Sequence, residues 1–204
     1  MALDPIEKKP LNRFHPGSYI LSVGSYGCNL RCPFCQNYDI SMGNESVVYL
    51  EITPEELISR ALDQIPRGNI GVAYTYNEPL IGYEFVRDCA SLAAEKGLKN
   101  VVVTNGYING KPLLELLPLI DAFNIDLKSF SPDFYKSIGG KLDTVKNSIR
   151  LAAEKCHVEV TTLVIAGDND SEEEMRELSN WLASVNPDIP LHISRFFPDF
   201  KMSN

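Results

Sequence analysis

No apolar run in this 204-residue chain approaches the length needed to span a bilayer. Its opening stretch, Met1-Ala2-Leu3-Asp4-Pro5-Ile6-Glu7-Lys8-Lys9-Pro10, lacks the apolar core of a secretory signal. Basic runs and stripes are missing as well. With 19 Lys and Arg against 27 Asp and Glu, the formal charge of −8 argues against a nucleic-acid or anionic-membrane surface. No Gly-x-Gly-x-x-Gly follows the first predicted strand, which weakens a dinucleotide-binding reading. Cysteine is scarce too: there are five, and three of them crowd into one short loop. Clustered thiols without a secretion signal belong in a reducing compartment, so the chain reads as cytoplasmic.

Those three are Cys28, Cys32 and Cys35, in Gly27-Cys28-Asn29-Leu30-Arg31-Cys32-Pro33-Phe34-Cys35. Spaced with three and then two intervening residues, their thiolates can converge on one soft metal centre. A four-iron cluster normally takes four cysteine thiolates. Holding it with three leaves one iron open, and an open position separates a reactive metal site from a sealed one. Zinc is the alternative, but it needs a histidine as fourth ligand, and the nearest is His15. Cys89 repeats at helical spacing with Val86, Ala90 and Ala93 and reads as a core residue, and Cys156 also reads as structural.

Apolar strands alternate with amphipathic helices, the signature of a parallel α/β architecture. Strands are predicted over 19–23, 69–74, 101–104, 122–125, 158–165 and 191–194. Thr53-Pro54-Glu55-Glu56 gives a helix cap, a proline at the first helical position and a capping-box glutamate. Ser171 to Glu174 repeats the capping box, and Ser131-Pro132 opens a helix that Gly139-Gly140 stops. Six β/α units suit an open doubly wound sheet or a partial barrel. The expected division is an extension over 1–17 and a core domain over 18–204, with no final covering helix after the sixth strand.

In parallel α/β folds the active site lies at the C-terminal ends of the strands. Those ends carry the cysteine loop, Thr75-Tyr76-Asn77-Glu78-Pro79, Thr104-Asn105-Gly106, Asp126-Leu127-Lys128, and His192 with Ser194 and Arg195. Asn124, Asp126 and Lys128 alternate with apolar residues and share one face. Since strands covered on both sides are usually apolar throughout, a polar row suggests a cavity for a polar ligand. The plainer alternatives are an Asp126–Lys128 ion pair serving structure, and a Glu78 that is a solvated loop carboxylate.

Cys28-x-x-x-Cys32-x-x-Cys35, with Phe34 before the last cysteine, resembles the signature of radical S-adenosylmethionine (radical SAM) enzymes. Thr104-Asn105-Gly106 and Asp126-Leu127-Lys128 are similar to the glycyl-radical activases, such as pyruvate formate-lyase activating enzyme. Leu3 to Pro10, Cys35-Gln36-Asn37 and Phe196-Phe197-Pro198-Asp199 look closer to the radical SAM proteins of the AmmeMemoRadiSam system. The resemblance covers nearly the whole chain.

It implies a partial (β/α)6 barrel and an oxidoreductase-type enzyme of unknown substrate. A [4Fe–4S] cluster on Cys28, Cys32 and Cys35 would cleave S-adenosylmethionine to a 5′-deoxyadenosyl radical that abstracts hydrogen. Phe34 and the backbone around Gln36 would pack beside the adenine. Thr75, Asn77 and Glu78 sit where the family's Gly-Gly-Glu-type motif receives the methionyl ammonium. Asp126 and Lys128 match the motif that contacts ribose and carboxylate, Thr104 and Asn105 would line the same cavity, and His192 matches a histidine near the cofactor. The implied partners are an electron donor such as flavodoxin or ferredoxin, and a protein substrate. Two departures stand out: Tyr76-Asn77 replaces the activase Gly-Gly, so the backbone approach to the cofactor is expected to differ, and Val103 replaces an aspartate of a monovalent-cation site. The competing functions are a cluster-bearing electron carrier or scaffold and a zinc-binding structural module.

Overall fold

The computed structural model describes residues 1–43, 49–198 and 200–202. One sheet holds seven strands in chain order: β1 (Ala2–Pro5), β2 (Tyr19–Val23), β3 (Asn69–Tyr74), β4 (Lys99–Thr104), β5 (Ala122–Asp126), β6 (His157–Val164) and β7 (Leu191–Arg195). β1 runs antiparallel to β2, and the other five pairings are parallel. Among the described residues no pairing joins β7 to β1, so the sheet is an open, curled half-barrel.

Helices α1 (Tyr38–Ser41), α2 (Pro54–Asp63), α3 (Tyr83–Glu95), α4 (Gly110–Leu116), α5 (Pro132–Ser137), α6 (Leu142–Ala153) and α7 (Glu172–Val185) fill the crossovers. The caps explain their starts. Thr53 and Glu56 form the reciprocal capping box expected of them, and Ser131 accepts from the Phe134 amide. At α7 only half of the expected box forms. Ser171 accepts from the Glu174 amide, but the Glu174 carboxylate accepts from Ser129 Oγ at 2.5 Å and the Phe130 amide at 2.7 Å. Two donors in the loop after β5 outcompete the single cap amide.

Strand alternation divides the core in two. Outward residues such as Leu21, Val72, Tyr74, Val102, Phe123 and Val160 pack under the helices with Leu57, Val86, Ile149 and Leu178. Inward residues Ile20, Ala73, Val101 and Ala122 meet Ile6 and Leu11 from the N-terminal segment. Residues 1–17, expected as an extension, thus supply a strand and fill the barrel floor. That floor is pinned by polar contacts as well. Glu159, fully buried on β6, accepts from the amides of Asn12 (3.0 Å) and Arg13 (2.8 Å), and Asn124 donates to the Pro10 carbonyl at 2.9 Å. β1 was missed because its alternation is too short: only Asp4 of its four residues is buried.

Candidate cofactor site

A cavity of about 730 Å³ opens at the C-terminal ends of the parallel strands, a size typical of small-molecule sites. Cys28, Cys32, Phe34, Cys35, Gln36, Thr75, Asn77, Glu78, Thr104, Asn105, Asp126 and Lys128 all line it. Of the site residues expected from sequence, His192 alone does not. The alternation of β7 turns His192 inward but deeper, where its Nε2 lies 2.6 Å from Glu159 Oε2 on the barrel floor. His157 meets the other oxygen of the same carboxylate at 2.9 Å.

The cysteine loop is held from four sides. Gly27 N–H donates to the Ile40 carbonyl, and Arg31 N–H to the Ile138 carbonyl. Asn77 reaches across from the loop after β3, accepting from Ser25 N–H at 3.0 Å and donating to Ser25 Oγ at 2.9 Å and the Gly27 carbonyl at 3.1 Å. Asn105 donates to Asn29 Oδ1 at 2.8 Å and to Cys28 Sγ at 3.6 Å. Asn77 and Asn105 are therefore loop-holding residues whose side-chain amides are already engaged. Burial pushes the Cys32 thiol up to about 11 and also raises Cys28, with Lys128 pulling the other way at both. Metal capture must therefore release protons.

Glu78 is buried, with 3% of its surface exposed, which excludes the solvated-loop alternative. Its Oε1 accepts from Thr104 Oγ at 2.7 Å and Leu80 N–H at 3.0 Å, and its Oε2 from Asn105 N–H at 2.7 Å. A carboxylate offers about four acceptor positions, so one remains for a ligand. Burial pushes its carboxyl up to about 6 even against those three donors. Across the cavity Lys128 Nζ lies 2.9 Å from Asp126 Oδ2. Burial alone would lower the Lys128 ammonium, but Asp126, and then Cys32, hold it above its ordinary range. The ion pair envisaged as structural thus exists, and it faces the cavity.

Sequence reading missed Thr161 and Leu163 of β6, which line the cavity together with Lys9 and Tyr76. The signal for Thr161 was present: Glu159 and Thr161 alternate within an apolar run, just as Asn124 and Asp126 do. Phe197 and Arg195 also line the mouth, while Asp199 of the Phe196-to-Asp199 motif lies outside the described residues. Cys89 is fully buried away from the cavity, and Cys156 donates to the Leu117 carbonyl at 3.6 Å, as expected of structural cysteines.

The donor set fits a cubane better than zinc. Zinc needs its ligands about 2.3 Å or less from one point, and among the described residues no three His, Cys, Asp or Glu side chains close on a single ion. His15 packs on Phe14 at 4.6 Å between ring centroids and does not line the cavity. A cubane instead takes one thiolate per iron, and the three cysteines that line this cavity match the three such ligands that leave one iron open.

The Radical SAM superfamily model matches residues 22–182. An uncharacterized protein of Methanocaldococcus jannaschii is 41% identical over 100% of this chain and 61% of its own length. The chain thus spans about three fifths of that relative. The pyruvate formate-lyase-activating enzyme of Clostridium pasteurianum is 32% identical, over 78% of this chain and 67% of its own. Among solved structures, Streptococcus suis SuiB bound to S-adenosylmethionine matches at a TM-score of 0.68 and 16% identity, over 91% of this chain and 43% of that one, a likeness of fold. With its cysteine signature, its half-barrel and a family match across most of its length, the chain belongs to the radical SAM superfamily.

Proposed function

We propose that this chain carries the catalytic core of an oxidoreductase-type radical SAM enzyme resembling the glycyl-radical activases. One observation carries the reading: three thiols, a buried carboxylate with an acceptor position left, and an ion pair line a single cavity. Cys28, Cys32 and Cys35 would hold a [4Fe–4S] cluster, and Glu78 would accept the methionyl ammonium of S-adenosylmethionine through a charge-assisted hydrogen bond. Lys128, held protonated by Asp126, would face the carboxylate and Asp126 the ribose, while Phe34 and Gln36 would pack on the adenine. Bound together, cluster and cofactor supply one-electron cleavage of a sulfonium carbon–sulfur bond and abstraction of a hydrogen atom.

The names of the activase relatives support a protein substrate. A flavodoxin- or ferredoxin-type donor and a cytoplasmic setting complete the proposal. Among the described residues no helix is long and apolar enough to cross a membrane.

Anaerobic reconstitution with iron and sulfide, then dithionite and S-adenosylmethionine, is expected to release 5′-deoxyadenosine and methionine. Suppose instead that protein holding about four irons per chain releases neither, and its reduced spectrum ignores the cofactor. The chain is then an electron carrier or scaffold.

A pH dependence follows from Glu78. An ammonium placed beside it favours the ionised form, so the cofactor must displace a proton whenever Glu78 is protonated. Because burial pushes that carboxyl up to about 6, affinity is expected to fall about tenfold per pH unit below this value. Above it the affinity should level off. Calorimetric titration on either side checks this, and a flat profile would remove Glu78 as the ammonium acceptor.

A further inference from the structure

Tyr76 occupies the turn between β3 and Glu78 with a φ of 76°, in the left-handed region that favours glycine. The residue that stands in place of the first glycine of the activase Gly-Gly thus takes a φ that glycine adopts freely. The difference expected from Tyr76-Asn77 lies in the side chain, and a bulky residue persists in this region only when its surroundings hold it there.

Those surroundings are specific. The Tyr76 hydroxyl donates to Asp4 Oδ2 at 2.6 Å. Asp4, on β1, also accepts from Lys9 Nζ at 2.8 Å and Lys8 Nζ at 2.9 Å, and the Lys9 ammonium stands 4.6 Å from the Tyr76 ring centroid. Lys9 is 1% exposed and Asp4 5%, so the ion pair that receives the Tyr76 hydroxyl is buried, while Lys8 reaches solvent. The Tyr76 carbonyl accepts from Asn37 Nδ2 at 2.7 Å. Beneath the ring, Gly24 leaves room that a Cβ would take up, since it would stand 2.9 Å from Tyr76 Cδ2. Every one of these contacts fixes the residue two places before Glu78.

We propose that β1 is a working part of the cofactor site: Asp4, through the Tyr76 hydroxyl, holds the 75–78 turn in the left-handed shape that aims Glu78 at the ligand. Asp4 and Tyr76 are positioning residues. The inference rests on the reading that the cavity takes S-adenosylmethionine.

The test separates tether from ring. Tyr76→Phe removes only the hydroxyl and leaves the Asp4–Lys9 pair intact, so the fold is kept. Tyr76→Gly removes the tether together with the strain it restrains. In reconstituted protein Tyr76→Phe is expected to weaken S-adenosylmethionine binding about tenfold, the loss of one hydrogen bond to a charged group. Tyr76→Gly should bind more tightly than Tyr76→Phe, because glycine adopts the left-handed turn without a tether, and Asp4→Asn placed on it should add no further loss. In cluster-free protein, amides 75–80 should exchange faster in Tyr76→Phe alone. Unchanged binding in Tyr76→Phe, or equal loss in both single variants, overturns the proposal. If the parent itself binds no S-adenosylmethionine, the functional reading fails, and the exchange pattern alone decides whether the tether holds the turn.

Discussion

Cys32→Ala is expected to fold and to assemble no cluster: iron and labile sulfide should drop from about four per chain to background after anaerobic reconstitution. Two remaining thiolates cannot anchor a cubane whose open iron has no protein ligand to fall back on. The fold should survive because the substitution removes one heavy atom from a residue that already packs as a small hydrophobe, at 6% exposure. A cost of about 1 kcal/mol is the scale for so small a deletion. Cys89→Ala supplies the control. Cys89 is at least as buried but lies in α3 on the helical side of the sheet, so its loss should cost stability and no iron. If Cys32→Ala retained the parent's iron, or Cys89→Ala lost it, the ligand assignment would fall. Assembly should also quicken as pH rises, because burial keeps the Cys28 and Cys32 thiols protonated at neutral pH.

The parts of this molecule written in local chemistry were legible in the sequence. The six parallel strands announce themselves as apolar runs, and helix starts at Thr53 and Ser131 follow from side chains that cap nearby amides. The cysteine loop is legible because metal chemistry demands that spacing, and Asp126 with Lys128 because a strand alternates. The misses share a different cause. His192 was placed near the cofactor by likeness, but its position depends on Glu159, 33 residues away, which engages it on the barrel floor. The Glu174 carboxylate was expected to close its own cap, yet donors 45 and 44 residues distant in sequence take it. The left-handed Tyr76 gives no sequence signal at all, since a tyrosine there reads as ordinary until Asp4 of β1 is folded beside it. Long-range polar pairing decides these positions, and no local pattern encodes it.

Glu78→Ala should keep its iron and lose its cofactor, with binding weakened by a hundredfold or more. Two opposing effects set its stability. Removing the carboxylate leaves the Thr104 hydroxyl and the Leu80 and Asn105 amides without their acceptor, at about 1–3 kcal/mol for each that stays dry. Against this, the folded protein disfavours the charged carboxylate: burial lifts its pKa from 4.5 to about 6. A group raised in this way destabilises the native state as pH climbs through that interval and remains unfavourable above it, by about 2 kcal/mol at neutral pH. Deleting it recovers that amount. Because Glu78 lines the cavity, water can also reach some of the orphaned donors. The net change in stability should therefore be small, a few degrees in Tm. Binding has no such offset, since a buried ammonium deprived of its anion loses about 3–5 kcal/mol, which is roughly two to four orders of magnitude in Kd. Iron content and Tm near the parent, with S-adenosylmethionine no longer perturbing the spectrum of the reduced cluster, is the expected combination. Retention of cofactor affinity within about threefold would show that the ammonium sits elsewhere in the cavity.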